Sequence, residues 1–542
     1  MSDGFKIDYG KKKYLVIDDF SEMRHSVKKM LQSFGAKDID DTGDGDTAVE
    51  KISMKSYDII LCDYNLGEGK RDGQQILEEV KHRELIRYST VYLMITAENT
   101  MSMVMGALEY KPDDYMTKPF TKDVLETRLN RVIERKADFD AIEKAINRKE
   151  YMAAIQLCTD RIKQKPKNVL EFLRIRADLC IKIGDYLAAK SVYEEVLSIR
   201  QIPWATLGLG KVLYKMGNFI EAKNILSELV EDNRAMVEAY DWLAKTLEEL
   251  GDLKGAQTTL DRAIKLSPKA ILRQKALAEV ALKNNDLSGA EQSFKEAVKL
   301  GKTSCFKSPS DYTGLAKVLS QKDNPEAALI VLKEVKGEFA NNDEANLQAS
   351  VVEGSVYKQM GDETNAKKSV ETASKLYSNL KGRVSSEISM DMAKALFDIG
   401  DKDKASSIMK EVVRNHHDDE KILGKAQDIF KEANLGDEGA AMISDTKKEI
   451  VQINNDGVRL VKDGKLKDAI EFFEKAANGL PENKIVNANA AQALLMFMKE
   501  SGKNDRHLVM TKKYLDRIRD VDPSYEKYRK LLIMYEKISS GQ

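Results

Sequence analysis

The stretch Tyr14–Asp19, YLVIDD, runs an apolar segment straight into two adjacent carboxylates. An unbroken apolar run of this length predicts a strand buried on both faces of a sheet. YDIILC (57–62) and VYLMIT (91–96) read the same way, and segments such as GQQILEEVKHREL (73–85) between them carry apolar residues at helical spacing. Strands alternating with helices predict a parallel sheet with right-handed crossovers. Ligands bind such sheets beyond the carboxyl ends of the strands. Asp18 and Asp19 therefore fall on the edge where chemistry is expected. Two like charges there repel and resist desolvation, unless they stay in water or a cation joins them.

Other polar residues fall on the same edge. Asp63 ends YDIILCD, Thr96 ends VYLMIT, and Lys118 lies in YMTKPF after a short fifth strand. With these residues in this order, positions 11–135 resemble the receiver domain of bacterial response regulators, of which CheY is the single-domain type. The resemblance implies a doubly wound, flavodoxin-like α/β fold with a five-stranded parallel sheet. It implies Asp63 as phosphoacceptor for a phosphohistidine on a histidine kinase or phosphotransfer protein. Carboxylates beside a lysine suit a hard cation that keeps part of its water, as Mg2+ does. Asp19 and Asp63 would bind the metal directly, Asp18 mostly through water, and the backbone carbonyl of Asn65 would complete the set. Thr96 and Lys118 would contact the phosphoryl group, and Tyr115 would turn inwards with Thr96. Asn65 and Glu98 match positions that modulate hydrolysis of the aspartyl phosphate. The loop YNLGEGKRDG (64–73) departs from the family by being longer and lacking its usual proline. The phosphorylation chemistry does not need that proline.

After about residue 136 the strand signals stop and a repeated turn begins. It reads KEYMAA (149), GDYLAA (184), GNFIEA (217), GDLKGA (251), NDLSGA (285), DNPEAA (323), GDETNA (361), GDKDKA (400), GDEGAA (436) and GKLKDA (464). The sixth residue of each motif is alanine, from Ala154 to Ala441 and Ala469. Seven residues before the turn a small residue recurs, such as Ala177, Gly210, Ala244, Gly354 and Gly457. Four residues after the alanine comes a large one, such as Tyr193, Leu226, Leu260 and Phe473. Small residues allow two helices to approach, glycine supplies a left-handed turn, and the large residue is expected to fill the gap to the next pair. The spacing resembles the tetratricopeptide (TPR) repeat of about 34 residues. The expected organisation is a tail (1–10), a receiver domain (11–135), an all-α TPR solenoid (136–520) and a capping helix (521–542). Asp522 is the expected N-cap of that helix and Pro523 its first residue. The last two turns lie only 28 residues apart and Asp445 replaces a large apolar residue, which predicts a degenerate repeat or a bend. The segment 121–151 lacks Gly and Pro, so the last receiver helix is expected to enter the array directly or with one small break.

Composition narrows the function. The 542 residues carry 87 basic and 88 acidic side chains, a net charge of −1 that gives no pull towards nucleic acid. No apolar run reaches the roughly 18 residues of a membrane span, and the first residues show no signal core, so no membrane insertion and a cytoplasmic location are expected. Cys62, Cys158, Cys180 and Cys305 form no C-x-x-C pair and are expected as buried thiols. DTGDGDTAVE (41–50) lacks the order of a calcium loop. His416 and His417 are expected on solvated surface, and the methionines of MSMVMG (101–106) against the receiver's partner face. At the inner-helix positions of a TPR groove stand Arg174, Asp178, Lys211, Asp241, Lys245 and Lys275, a mixture without the lysine–asparagine pattern that clamps chaperone C-termini.

The expected function is a bacterial response regulator whose output is protein binding by the array. It is expected to be no enzyme beyond removal of its own phosphoryl group. The alternatives are a phosphate sink or inhibitor of a histidine kinase, and a TPR scaffold with a silent receiver.

Overall fold

The computed structural model describes residues 7–97, 111–380 and 382–540. The chain folds as two compact units, Met1–Leu179 with Leu187–Asp311, and Cys180–Tyr186 with Tyr312–Gln542.

The first unit begins with a five-stranded parallel sheet of order β2-β1-β3-β4-β5. Its strands are β1 (Lys13–Ile17), β2 (Asp38–Thr42), β3 (Ile59–Asp63), β4 (Val91–Thr96) and β5 (Asp114–Thr117). Helices α1 (Ser21–Ser33), α2 (Gly45–Met54), α3 (Gly73–His82) and α4 (Lys122–Ala137) accompany them. Alternation along each strand feeds two cores at once. Tyr14, Val16, Ile59, Leu61, Leu93 and Ile95 enter the core that includes Leu125 and Leu129 of α4. Leu15, Ile17, Ile60, Cys62, Tyr92 and Met94 enter the core with Ile76 and Leu77 of α3. This double burial is why the strands read as continuous apolar runs. It also places Asp18, Asp63 and Thr96 at one edge, because β1, β3 and β4 lie adjacent and in register, with Asp63 opposite Ile95.

The chain leaves the receiver through one short break. α4 ends at Ala137 and the next helix spans Asp140–Asn147. Phe139, between them, is 1% exposed and packs against the rings of Tyr88 (5.6 Å) and Phe172 (4.6 Å). Ser89 N donates to Glu143 Oε2 (3.0 Å), and Arg135 pairs with Glu171 (3.4 Å). The break is thus filled on both sides.

The remaining helices form antiparallel pairs. Each turn opens on a residue in the left-handed region: Gly at 184, 217, 251, 361, 400 and 464, but Lys149, Asn285, Asp323 and Asn434 elsewhere. That pattern corrects one expectation. The ninth turn starts at Asn434 (φ 57°), not Gly436, so its sixth residue is the buried Gly439 and Ala441 is exposed. A Cβ at Gly439 would sit 2.5 Å from Phe430 Cβ, which explains why even alanine is excluded there. The shifted frame also removes the anomaly at Asp445, which is exposed, while Ile443 packs on the core. The repeat is atypical in another way: Gly436–Lys462 is a single helix that ends one repeat and opens the next, with no turn between them.

A second correction concerns the large residues. Opposite Gly210, Gly354 and Gly457, an added Cβ would lie 2.7, 2.7 and 2.4 Å from Leu226, Val370 and Phe473. These side chains fill the gap within their own pair, where a small residue has made room. Tyr193 also reaches onward: a Cβ added at Gly208 of the following pair would lie 2.3 Å from its ring.

Within the second unit, His416 and His417 are buried rather than solvated. His416 Nε2 lies 2.9 Å from Glu482, and Asn483 Nδ2 lies 3.0 Å from His417 Nδ1. Burial pulls the His417 imidazole below its ordinary value. The final helix spans Glu526–Ser540, so Asp522 is no N-cap; its Oδ1 instead accepts from Ser524 N in the turn before it (3.0 Å). Among the described residues no helix is long and apolar enough to cross a membrane.

Candidate functional site

Three chain turns build the site at the carboxyl edge of the sheet. After β1, Asp18 N donates to Thr42 O (3.1 Å), and Asp18 Oδ1 accepts from Phe20 N (3.0 Å). Arg24 of α1 then holds both carbonyls of the acid pair, Asp18 O at 2.7 Å and Asp19 O at 3.1 Å. Its Nε is anchored on Asp41 (3.0 Å). After β3, Tyr64 N donates to Ile95 O (2.7 Å), which fixes Asp63 beside the end of β4. After β5, Lys118 N donates to Thr96 O (2.7 Å), and the Lys118–Pro119 bond is cis.

The charges converge from these turns. Lys118 Nζ bridges Asp18 Oδ2 and Asp63 Oδ2, each at 2.7 Å. One oxygen from each of Asp18, Asp19 and Asp63 lies within 4.8 Å of the others. Asp19 Oδ1 is buried without a hydrogen-bond partner. Burial raises the Asp63 carboxyl above its ordinary value; Lys118 opposes this and Asp18 adds to it. Burial alone would lower the Lys118 ammonium, but Asp18 and Asp63 outweigh it and raise it. A cavity of about 260 Å³ opens here, lined by Asp19, Met23, Asp63, Asn65, Thr96 and Lys118 among others.

One ammonium for three carboxylates leaves a deficit of positive charge, and an orphaned carboxylate oxygen faces it. That donor set fits a divalent cation with oxygen ligands, such as Mg2+. Asp18, Asp19, Asp63, Thr96 and Lys118 are therefore brought together. Asn65 lines the cavity and its side chain accepts from Gly67 N (3.2 Å). Tyr115 is partly buried on β5 and packs against the α3-side core. Glu98 and the MSMVMG segment lie outside the described residues.

Arg24 and Gly73 also shape the site, although the sequence patterns above do not single them out. A Cβ on Gly73 would lie 2.2 Å from Asp63 O, so only glycine lets α3 start this close. The glycine ending YNLGEGKRDG is the available signal. Along the array, the inner-helix charges are mostly paired within the chain. Asp241 takes two bonds from the buried Arg273 (2.7 and 2.8 Å), and Lys275 pairs with Asp311 (3.1 Å). Lys211 pairs with Glu238, Lys245 lies 4.8 Å from the Trp242 ring centre, and Arg174 5.7 Å from that of Trp204. Asp178 is exposed.

Residues 14–130 match the response regulator receiver domain, and residues 175–202, 207–271 and 347–380 match tetratricopeptide repeats. The chain belongs to the response regulator receiver family, with TPR repeats following the receiver. Chemotaxis protein CheY-3 of Vibrio cholerae is 32% identical over 123 residues, 23% of this chain and 92% of its own length. Chemotaxis protein CheY of Pseudomonas aeruginosa is 31% identical over 123 residues, 23% of this chain and 97% of its own. A tetratricopeptide repeat protein from Parabacteroides merdae aligns with 48% of this chain and 98% of its own, at 14% identity and a TM-score of 0.39.

Proposed function

We propose that this protein is a phosphoryl-accepting response regulator in which Asp63 controls protein binding by the TPR array. The observation that carries this reading is the Lys118 bridge between Asp18 and Asp63, with the unpaired Asp19 oxygen beside it. A bound Mg2+, held by Asp19, Asp63 and the Asn65 carbonyl with Asp18 through water, would offset charge on the transferring phosphoryl oxygens.

The chain's own groups do the rest. Asp63 Oδ attacks the phosphorus of a phosphohistidine on a histidine kinase or phosphotransfer protein. The P–N bond breaks, the imidazole leaves, and an acyl phosphate forms. Both oxygens stay on Asp63, one of them now bridging to phosphorus, and the charged Lys118 beside it pairs with a phosphoryl oxygen. Thr96, on the same edge, donates its hydroxyl to a phosphoryl oxygen, and Tyr115 on the neighbouring strand moves with it. Asn65 and Glu98 set the rate at which water removes the group. This is signalling by a cytoplasmic bacterial protein rather than catalysis on a separate substrate.

Acetyl phosphate with Mg2+ tests the reading by intact mass. The parent should gain one phosphoryl group and Asp63→Asn none, with Mg2+ omission abolishing the gain. An unmodified parent, with acetyl phosphate and with any cognate kinase, would instead favour the silent scaffold.

A further inference from the structure

Within the first unit, the loop that follows Asp63 is gripped from outside the receiver. Lys269 lies in the turn between helices Leu253–Leu266 and Ile271–Lys283. Its Nζ sits 2.9 Å from Asp72 Oδ2 and 5.5 Å from the centre of the Tyr64 ring. These two residues bound the loop: Tyr64 follows the phosphoacceptor and Asp72 caps α3.

The cap itself is doubly engaged. Gln75 N donates to Asp72 Oδ1 (2.9 Å) and Asp72 N to Gln75 Oε1 (3.0 Å). Gln75 Nε2 then donates to Thr303 Oγ1 (3.0 Å), so both members of the capping box bear on the array. At the far end of α3, the His82 and Phe306 rings lie 4.7 Å apart. Lys275 holds Phe306 O (2.8 Å), which fixes that array loop from beneath. Inside the receiver the path to the site is short. Gly73 N donates to Tyr64 O (2.8 Å), and α3 starts so close to Asp63 O that no Cβ fits between them. The start of α3 is therefore packed directly on the Asp63 backbone and tied to the residue that follows it.

We propose that Lys269 is a positioning residue for the phosphoacceptor site, coupling the state of Asp63 to the seating of the array loop 302–308 on α3. The proposal deepens, and rests on, the response-regulator reading. Its physical basis is preorganisation. The loop carries Asn65, whose carbonyl is the proposed metal ligand, and ordering a loose loop on loading costs affinity that a held loop keeps. By linkage, whatever Lys269 adds to loading of Asp63, loading adds to the grip of Lys269 on the loop.

The test uses the full chain and beryllofluoride with Mg2+ as a stable stand-in for the phosphoryl group, titrated by calorimetry. Lys269→Met should bind on the order of tenfold more weakly, within the usual range of coupling between sites. Lys269→Arg should stay near the parent, since a guanidinium keeps both the ion pair and the ring contact. Beryllofluoride should slow amide hydrogen exchange across 302–308 in the parent and leave it unchanged in Lys269→Met. A merely structural role would lower the melting temperature without this split, and Lys269 is 45% exposed, so folding should survive. Should it not, Thr303→Val reads the same coupling, with affinity reduced on the order of threefold. Equal or tighter binding by Lys269→Met overturns the proposal. A parent that binds no beryllofluoride removes the phosphoacceptor reading as well; a parent that binds while Lys269→Met binds equally removes only this inference.

Discussion

At the sheet edge one cation serves three carboxylates, whereas in the array of the first unit one carboxylate is served by two cations. Lys118 lies between Asp18 and Asp63 while Asp19 keeps an unpaired oxygen. Glu238 instead receives Lys111 (2.7 Å) and Lys211. Burial acts on both acids in the same direction, upward. At Asp63 it wins and the carboxyl stays raised. At Glu238 the two lysines outweigh it and hold the carboxyl at about 2. A folded chain that can neutralise a half-buried acid this thoroughly leaves three carboxylates at the sheet edge with one lysine between them. That deficit is what the proposed cation and phosphoryl group would relieve, while the balanced charges hold helices together.

Three substitutions probe the contrast and a fourth probes packing. Lys118→Met should have the largest effect, since it strands two buried carboxylates; a loss of about 3 kcal/mol is expected, read as the denaturant midpoint of the receiver's unfolding. Phosphoryl uptake should vanish with it. Glu238→Gln should cost less, about 2 kcal/mol, because its side chain is 29% exposed and water can reach the freed lysines. It should also speed hydrogen exchange near Lys111 and Lys211. Equal losses for the two substitutions would erase the distinction between edge and array.

Gly457→Ala probes packing alone. Its new Cβ would meet Phe473 at 2.4 Å, an overpacking cost of about 2 kcal/mol. The gain in helix propensity returns about 1 kcal/mol, leaving a net loss of about 1 kcal/mol by thermal melting. Asp63→Asn should act in the opposite direction. A carboxyl raised in the folded state favours its neutral form there, so its ionisation weakens the fold at neutral pH. That penalty is absent below the ordinary value of 3.8 and complete above the raised one. Asp63→Asn should therefore be more stable than the parent at neutral pH, and the gain should disappear as the pH falls towards 3.8. Glu238 behaves in reverse: the stability its depressed value supplies is present above 4.5 and lost as the pH falls towards about 2.

The sheet and its edge are readable in the sequence because strand burial and strand ends are local signals. Tyr14–Ile17 and Ile59–Cys62 announce two-sided burial, and the residues that follow them must reach the same edge. Arg24 is not readable, since a helical arginine looks like any other until its guanidinium is seen on the carbonyls of Asp18 and Asp19. The repeat is legible from its alanines, but its ninth frame is masked because glycine is not the only residue that takes the left-handed turn. Asn434 serves there, as Lys149, Asn285 and Asp323 do elsewhere. Long-range contacts such as Lys269–Asp72 leave no trace in periodicity. Nor does the burial of His416 and His417, whose partners lie 66 positions away.

The most direct test of Asp63 as the phosphoryl acceptor is borohydride reduction of the acetyl-phosphate-treated chain, followed by peptide mapping. Hydride reduces an aspartyl phosphate to homoserine and leaves free carboxylates alone. Homoserine at position 63, dependent on Mg2+ and absent without acetyl phosphate, is the expected result. Homoserine at Asp18, Asp19 or elsewhere, or at no position, would contradict it.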